Sequence, residues 1–147
     1  MYVDSQNLIS DAQAVSADAV STNTIDLGNV TPKNEIGSGE PMCFAVQVDV
    51  AADVANGDET YVFEVIQSAN ANLSSPDILM QREIARASLT AGSIHFLPIP
   101  PGSVTKRYLG MNYNVGGTTP SVTVTTFLIP MSQIDTFKAY AKGYTIS

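Results

Sequence analysis

Tryptophan is absent from this chain, cysteine and histidine occur once each, and seven lysines and arginines face fourteen acids. Each scarcity excludes something. A disulfide framework needs two cysteines, so Cys43, inside the apolar run MCFAV, reads as a small core residue rather than a nucleophile. The lone His95, in SIHFLPIP, has no neighbouring aspartate or cysteine to orient it, and one histidine cannot build the cluster of a cupin-like metal enzyme. With a net charge of −7 the chain is a poor partner for nucleic acid, whose phosphates are neutralised by basic side chains. No apolar run approaches the roughly 18 residues of a membrane helix, and no lipid-attachment motif or basic amphipathic face is visible, so no membrane partner is expected. The opening MYVDSQNLISDAQAV has acids at Asp4 and Asp11 and no long apolar stretch; it reads as an extended polar arm and not as a secretory leader.

Period-two alternation is the dominant signal. In MCFAVQVDV, Met42, Phe44, Val46, Val48 and Val50 share a face opposite Gln47 and Asp49, and in YVFEVIQS Tyr61, Phe63 and Val65 do the same. The turn-rich AADVANGDET between them predicts a hairpin. A second hairpin is predicted from RYLGMNYNV and SVTVTTFLI, joined by GGTTP, with Leu109, Met111, Tyr113, Val115, Val122 and Val124 inward and Asn112, Asn114, Thr123 and Thr125 outward. The middle segment, SPDILMQREIARASL, supports two readings. Ser75 and Pro76 resemble a helix start and Met80, Ile84 and Ala87 have helical spacing, yet Ile84 to Leu89 could equally pair as a strand. A short strand near TIDLGNV and one or two helical turns in SQIDTFKAY, with Ile134, Phe137 and Tyr140 on one face, complete the list. Seven or eight short strands with turn-rich loops argue for an all-β sandwich in one domain at residues 21–147, preceded by an arm at 1–20.

Chemistry is sparse. Asp49, Asp53, Asp58 and Glu59 are hard oxygen donors but lack the spacing of an EF-hand loop, so a solvated loop is expected and no metal or cofactor is assigned. GSG at 37–39 is too short for a dinucleotide fingerprint. No catalytic residue is assigned, and no enzyme activity is expected. Charge is unevenly distributed: residues 1–64 hold eleven acids and one base, a balance of 1 − 11 = −10, and residues 65–147 hold three acids and six bases, 6 − 3 = +3. Either the halves place opposite potentials on different faces, or the fold intermixes them. Arg82, Arg86, Lys106 and Arg107 are the basic concentration, read as solvated strand ends or as contacts to an acidic neighbour.

The arm MYVDSQNLISDAQAV, the phrases STNTIDLG and LTAGSIHFLPIPPG, and above all RYLGMNYNVGGTTPSVTVTTFLI resemble the small capsid cement, or decoration, proteins of tailed bacteriophages, from the first residue to about 130. The resemblance implies a jelly-roll-like antiparallel β-sandwich on the outer surface of the virion's capsid, bridging subunits of the major capsid protein, often as a homodimer and without enzyme activity. It also implies strands at about 79–88 and 94–98. On that basis Tyr2, Val3, Leu8 and Ile9 are candidate apolar anchors of an arm that packs on a neighbouring subunit, with Arg82, Arg86, Lys106 and Arg107 as further interface candidates. The competing expectation is that the arm folds back as an edge strand of its own domain. The alternative function is a carbohydrate- or receptor-binding jelly roll of a phage tail or spike, served by the Asn and Thr faces.

Overall fold

Of the two β-strand faces that the alternation defines, one must find an apolar partner layer, and the chain supplies it by facing two antiparallel sheets against each other. The computed structural model describes residues 6–28 and 40–134. Among the described residues nine strands run in order: β1 (Leu8–Val15), β2 (Ala19–Val20), β3 (Ile25–Asp26), β4 (Met42–Val50), β5 (Thr60–Ser68), β6 (Asp77–Glu83), β7 (Ile94–Pro98), β8 (Tyr108–Gly116) and β9 (Val122–Pro130). One sheet has the order β1-β9-β4-β7 and the other β2-β8-β5-β6, with β3 also paired to β8. Taking β2 and β3 as one interrupted strand, this is the eight-stranded jelly-roll order, in which nearly every connection crosses from one sheet to the other. The expected fold class, an all-β sandwich, is therefore what the chain forms.

Both expected hairpins are corrected. β4 pairs with β7 and β9, whereas β5 pairs with β6 and β8, so the loop at 51–59 crosses between sheets. The loop at 117–121 likewise carries the chain from β8 in one sheet to β9 in the other. Glycine, proline and polar residues reverse a chain equally well within one sheet or between two. Consecutive strands pair directly at β5 and β6.

The ambiguous middle is strand only as far as Glu83, and neither the helix nor the strand read at Ile84 to Leu89 forms. β6 ends at Glu83, earlier than the expected 88, and a 3₁₀ turn occupies Arg86–Ser88; β7 at 94–98 has the expected bounds. Ser75 cannot cap a helix because its φ is +48°, whereas an N-cap residue adopts extended backbone. At the C-terminal end Met131–Gln133 form a 3₁₀ turn, and most of the expected helical segment after Ile134 lies outside the described residues.

The inward faces of β4, β5, β8 and β9 carry the residues that alternation assigned to them: Phe44, Val46, Val48, Tyr61, Phe63, Val65, Leu109, Met111, Tyr113, Val122 and Val124 are all buried in the main core. Val50 is the exception at 59% exposed, because the β4–β9 register shifts between Val48 and Val50. A polar tie spans the core. Tyr113 on β8 donates to Thr126 Oγ1 on β9 (2.7 Å) and lies 2.8 Å from Ser10 Oγ on β1, and Ser10 Oγ donates to Gln13 Oε1.

Residues 8–15 of the expected arm are β1, the edge strand of the first sheet, paired with β9. Its register shifts twice, between Leu8 and Ser10 and between Ser10 and Gln13; the second interval contains Ala12, which has a φ of +46° and donates its N–H to Thr125 Oγ1. For residues 8–15 the competing reading, an arm folded back as an edge strand of its own domain, is therefore what the chain forms, although these irregularities break the two-residue period that marks a strand.

Strand pairing interleaves the two halves of the chain without levelling their charge. In both sheets, strands from the acidic first half alternate with strands from the more basic second half. The described strands themselves carry Asp11, Asp26, Asp49, Glu64, Asp77 and Glu83 against Arg82 alone, and β7, β8 and β9 carry no lysine, arginine, aspartate or glutamate.

Candidate functional site

The residue types that catalysis or metal binding would need are each committed to holding a loop or a core. Cys43 is fully buried, and that burial pushes its thiol up to about 11. It lies outside the main core, on the outer face of the first sheet. His95 sits on β7 opposite Val46, with its Nε2 3.2 Å from Ser93 Oγ; burial, and then the charge of Arg82, lower its pKa, so it is neutral at pH 7. Of the acidic four, Asp49 accepts from the Thr125 hydroxyl and Asp53 from the Ala55 N–H. Asp58 accepts from the Thr118 N–H and hydroxyl, which hold its pKa down, and Glu59 accepts from the N–H groups of Asn56 and Gly57. Asp58 thus ties the loop at 51–59 to the loop at 117–121, Asp53 and Glu59 close turns within the first of these, and Asp49 ties β4 to β9. Among the described residues no three of His, Cys, Asp and Glu converge.

The four basic candidates divide between the two ends of the second sheet. Arg82 donates to the Phe96 carbonyl (3.3 Å), tying β6 to β7, and Arg86 lies beside Gly57 in the turn after β6. At the other end Lys106 pairs with Asp77 (2.8 Å). Arg107 makes a two-pronged contact with Asp26, Nε to Oδ1 at 2.7 Å and Nη2 to Oδ2 at 2.9 Å, and lies over the Tyr108 ring. The acidic neighbours expected for these residues therefore include two within the chain.

Leu8 and Ile9 point to opposite faces of β1. Ile9 is fully buried in the main core, and Leu8 is partly buried on the outer face. Tyr2 and Val3 lie outside the described residues.

What the structure brings together is an end cleft of 660 Å³ where β1 approaches β3. Gln6, Asn7, Asn23, Thr24 and Asp26 form its polar lining, with Leu8, Ile25, Leu27 and Leu128 supplying the apolar part. Of the sequence candidates, Leu8 lines it and Arg107 borders it through Asp26, whereas Arg82 and Arg86 are remote. The polar lining residues were missed; TIDLGNV reads only as a strand, and STNTIDLG enters only through the family resemblance. Amides and a hydroxyl beside leucines suit a polypeptide main chain with one apolar side chain, and offer no proton-transfer chemistry.

The cleft's one carboxylate is held ionised. The Arg107 guanidinium, and then the Gly28 N–H, lower Asp26 from an ordinary 3.8 to about 2. Because the folded value is the lower one, the contribution of this pair to stability is complete above the ordinary value and is lost as pH falls from 3.8 towards 2. Asp26→Asn is therefore expected to be less stable than the parent by a constant amount above about pH 5, with the difference vanishing near pH 2. Urea unfolding at several pH values checks this; a difference that persists unchanged at pH 2 would show that the ion pair is not its source. The effect is small, since both side chains are well exposed.

No curated protein matches the chain. A family model does, over a stretch that begins in β1 and ends in β9 and so takes in the whole jelly roll. With residues 9–128 matched, the chain belongs to the Bbp16 family.

Proposed function

We propose that the chain is a non-enzymatic structural protein of a phage virion, which binds the outer surface of the capsid and bridges neighbouring subunits of the major capsid protein. The observation that carries this reading is the combination of a jelly roll whose one thiol is buried and whose acidic candidates accept hydrogen bonds from the chain itself with an amide- and leucine-lined end cleft. Such a surface fits protein rather than a small reactant. The resemblance of STNTIDLG, LTAGSIHFLPIPPG and RYLGMNYNVGGTTPSVTVTTFLI to capsid cement proteins supports the same conclusion, and the acidic composition suits an exterior position away from packaged nucleic acid.

The physical role follows from repetition. A subunit that buries surface on two neighbours opposes their separation, and the second contact forms at high effective concentration once the first is made. Modest individual contacts then suffice to strengthen a shell.

Cosedimentation of the purified chain with capsids that lack it, at low and high salt, tests the proposal. Saturable binding at a fixed ratio to the capsid protein is expected, and the difference between low and high salt measures how much the chain's acidic surface contributes. Absence of binding at both salt concentrations would overturn it and favour the glycan-binding alternative.

A further inference from the structure

The pair Asn56–Gly57 has no role in strand pairing. Between strands, asparagine followed by glycine favours a two-residue hairpin in which both residues take positive φ. Here only Gly57 of the two does, at +80°, and the loop at 51–59 crosses between sheets. The same dipeptide carries a chemical liability. With no side chain on the glycine to obstruct it, the Gly57 main-chain nitrogen can attack the Asn56 side-chain carbonyl carbon. A new N–C bond forms, the bond from that carbon to the amide nitrogen breaks, and the displaced nitrogen leaves as ammonia with the Gly57 proton. Water then opens the resulting succinimide ring to aspartate or isoaspartate.

Both residues are exposed to water, yet each reacting group is held. The Glu59 carboxylate accepts from both main-chain nitrogens, Oε1 from Asn56 at 2.9 Å and Oε2 from Gly57 at 3.0 Å. Glu59 is only 2% exposed, so its carboxylate is a fixed part of the loop. Attack requires the Gly57 nitrogen to give up its proton, and the anion formed there would face the carboxylate's negative charge. The Asn56 amide is fixed from the other side. Its Nδ2 donates to the Thr118 carbonyl and to the Thr119 hydroxyl, both at 2.9 Å, and so reaches across to the loop at 117–121. Asp58, which accepts from the Thr118 N–H and hydroxyl, ties the same two loops together.

We propose that Asn56 is a latent deamidation site, held shut by this brace, and that its conversion locks the two loops apart once they have opened. Conversion replaces Nδ2, a donor to two oxygens, by a carboxylate oxygen that can only accept. That oxygen would face the Thr118 carbonyl with no proton between them, and its charge would join Asp53, Asp58 and Glu59 in one loop. A transient opening thereby becomes permanent. The site lies at the end of β8 away from β3, so it is separate from the end cleft and independent of the capsid reading.

The test incubates the full chain, folded and unfolded in urea, at one mildly alkaline pH and reads aspartate and isoaspartate at position 56 by peptide mapping. The folded chain is expected to deamidate at least about tenfold more slowly, because reaction waits on opening. Glu59→Ala frees both main-chain nitrogens and is expected to lose most of that ratio while keeping a cooperative unfolding transition. Since each ratio is taken against the same variant in urea, the local effect of removing a charge cancels. Equal rates for the folded and unfolded parent would overturn the inference, as would full protection in folded Glu59→Ala. Should Glu59→Ala fail to fold, Thr119→Val decides the matter: it removes one acceptor of the Asn56 amide and is expected to lower the ratio at least about threefold, and an unchanged ratio would overturn the inference. The locking step is read in Asn56→Asp, where the Thr118 N–H is expected to exchange with deuterium at least about tenfold faster than in the parent. Unchanged exchange there would show that conversion does not hold the loops apart.

Discussion

Replacing Tyr113 by alanine is expected to lower the unfolding free energy by about 4–5 kcal/mol, a large share of the roughly 5–15 kcal/mol that stabilises a domain. Three contributions add. The side chain is 1% exposed, so its removal leaves a cavity at the centre of the sandwich. Its ring meets Phe63 edge to face, with centroids 5.8 Å apart at 83°, a geometry worth about 1 kcal/mol beyond the buried area. Its hydroxyl joins Thr126 and Ser10, both fully buried, across the space between the sheets. Tyr113→Phe separates these contributions. It keeps the ring and removes the hydroxyl, so a loss of about 1–2 kcal/mol is expected from the buried oxygens left short of a partner. Guanidinium unfolding with an unchanged slope is the measurement; a phenylalanine variant as unstable as the alanine one would mean that the hydroxyl, and not the ring, holds the two sheets together.

The second large effect is at Gly117, where alanine is expected to cost about 3 kcal/mol. The residue has a φ of +95°, and a Cβ there would lie 2.5 Å from the Asp58 carbonyl oxygen and 2.8 Å from both the Asp58 carbonyl carbon and Glu59 Cα. All three are backbone atoms, held in place by the Asp58–Thr118 and Asn56–Thr118 hydrogen bonds, so the clash cannot be relieved by turning a side chain. Gly102 is the control. Its φ is +74° but nothing lies within 4 Å of a Cβ, so Gly102→Ala is expected to cost only the backbone strain, about 1 kcal/mol. Thermal unfolding of the two variants under one buffer condition gives the comparison. Equal losses would show that backbone conformation alone, without the close approach of the two loops, sets the cost at Gly117.

The candidate site was partly legible. Leu8 stands out as an apolar residue in a polar arm, and Arg107 as a charge at the start of a strand; both border the end cleft. Asp26, Asn23 and Thr24 carry no sequence signal for a shared cleft, because β1 and β3 approach only after each has found its place in a different sheet. The apolar outer face had a signal that alternation obscured. MCFAV is five apolar residues without interruption, the pattern of a strand covered on both sides; Cys43 reads from it as the core residue it is, whereas period two says nothing of Ala45, which is also fully buried.

The sequence by itself determined which residues of each long strand turn inward, because burying one face of a strand demands the same two-residue period in every fold. It also determined how little reactive chemistry is available, with one thiol, one imidazole and scattered acids. Only the tertiary structure decided which strand lies beside which. The bonds that pair strands are made by backbone groups common to all residues, and the inner faces of the two sheets have the same apolar character, so alternation cannot say whether β5 returns beside β4 or faces it across the core. That same choice interleaved the acidic half with the basic half and brought Tyr113 to Ser10 and Thr126, residues 103 and 13 positions away along the chain.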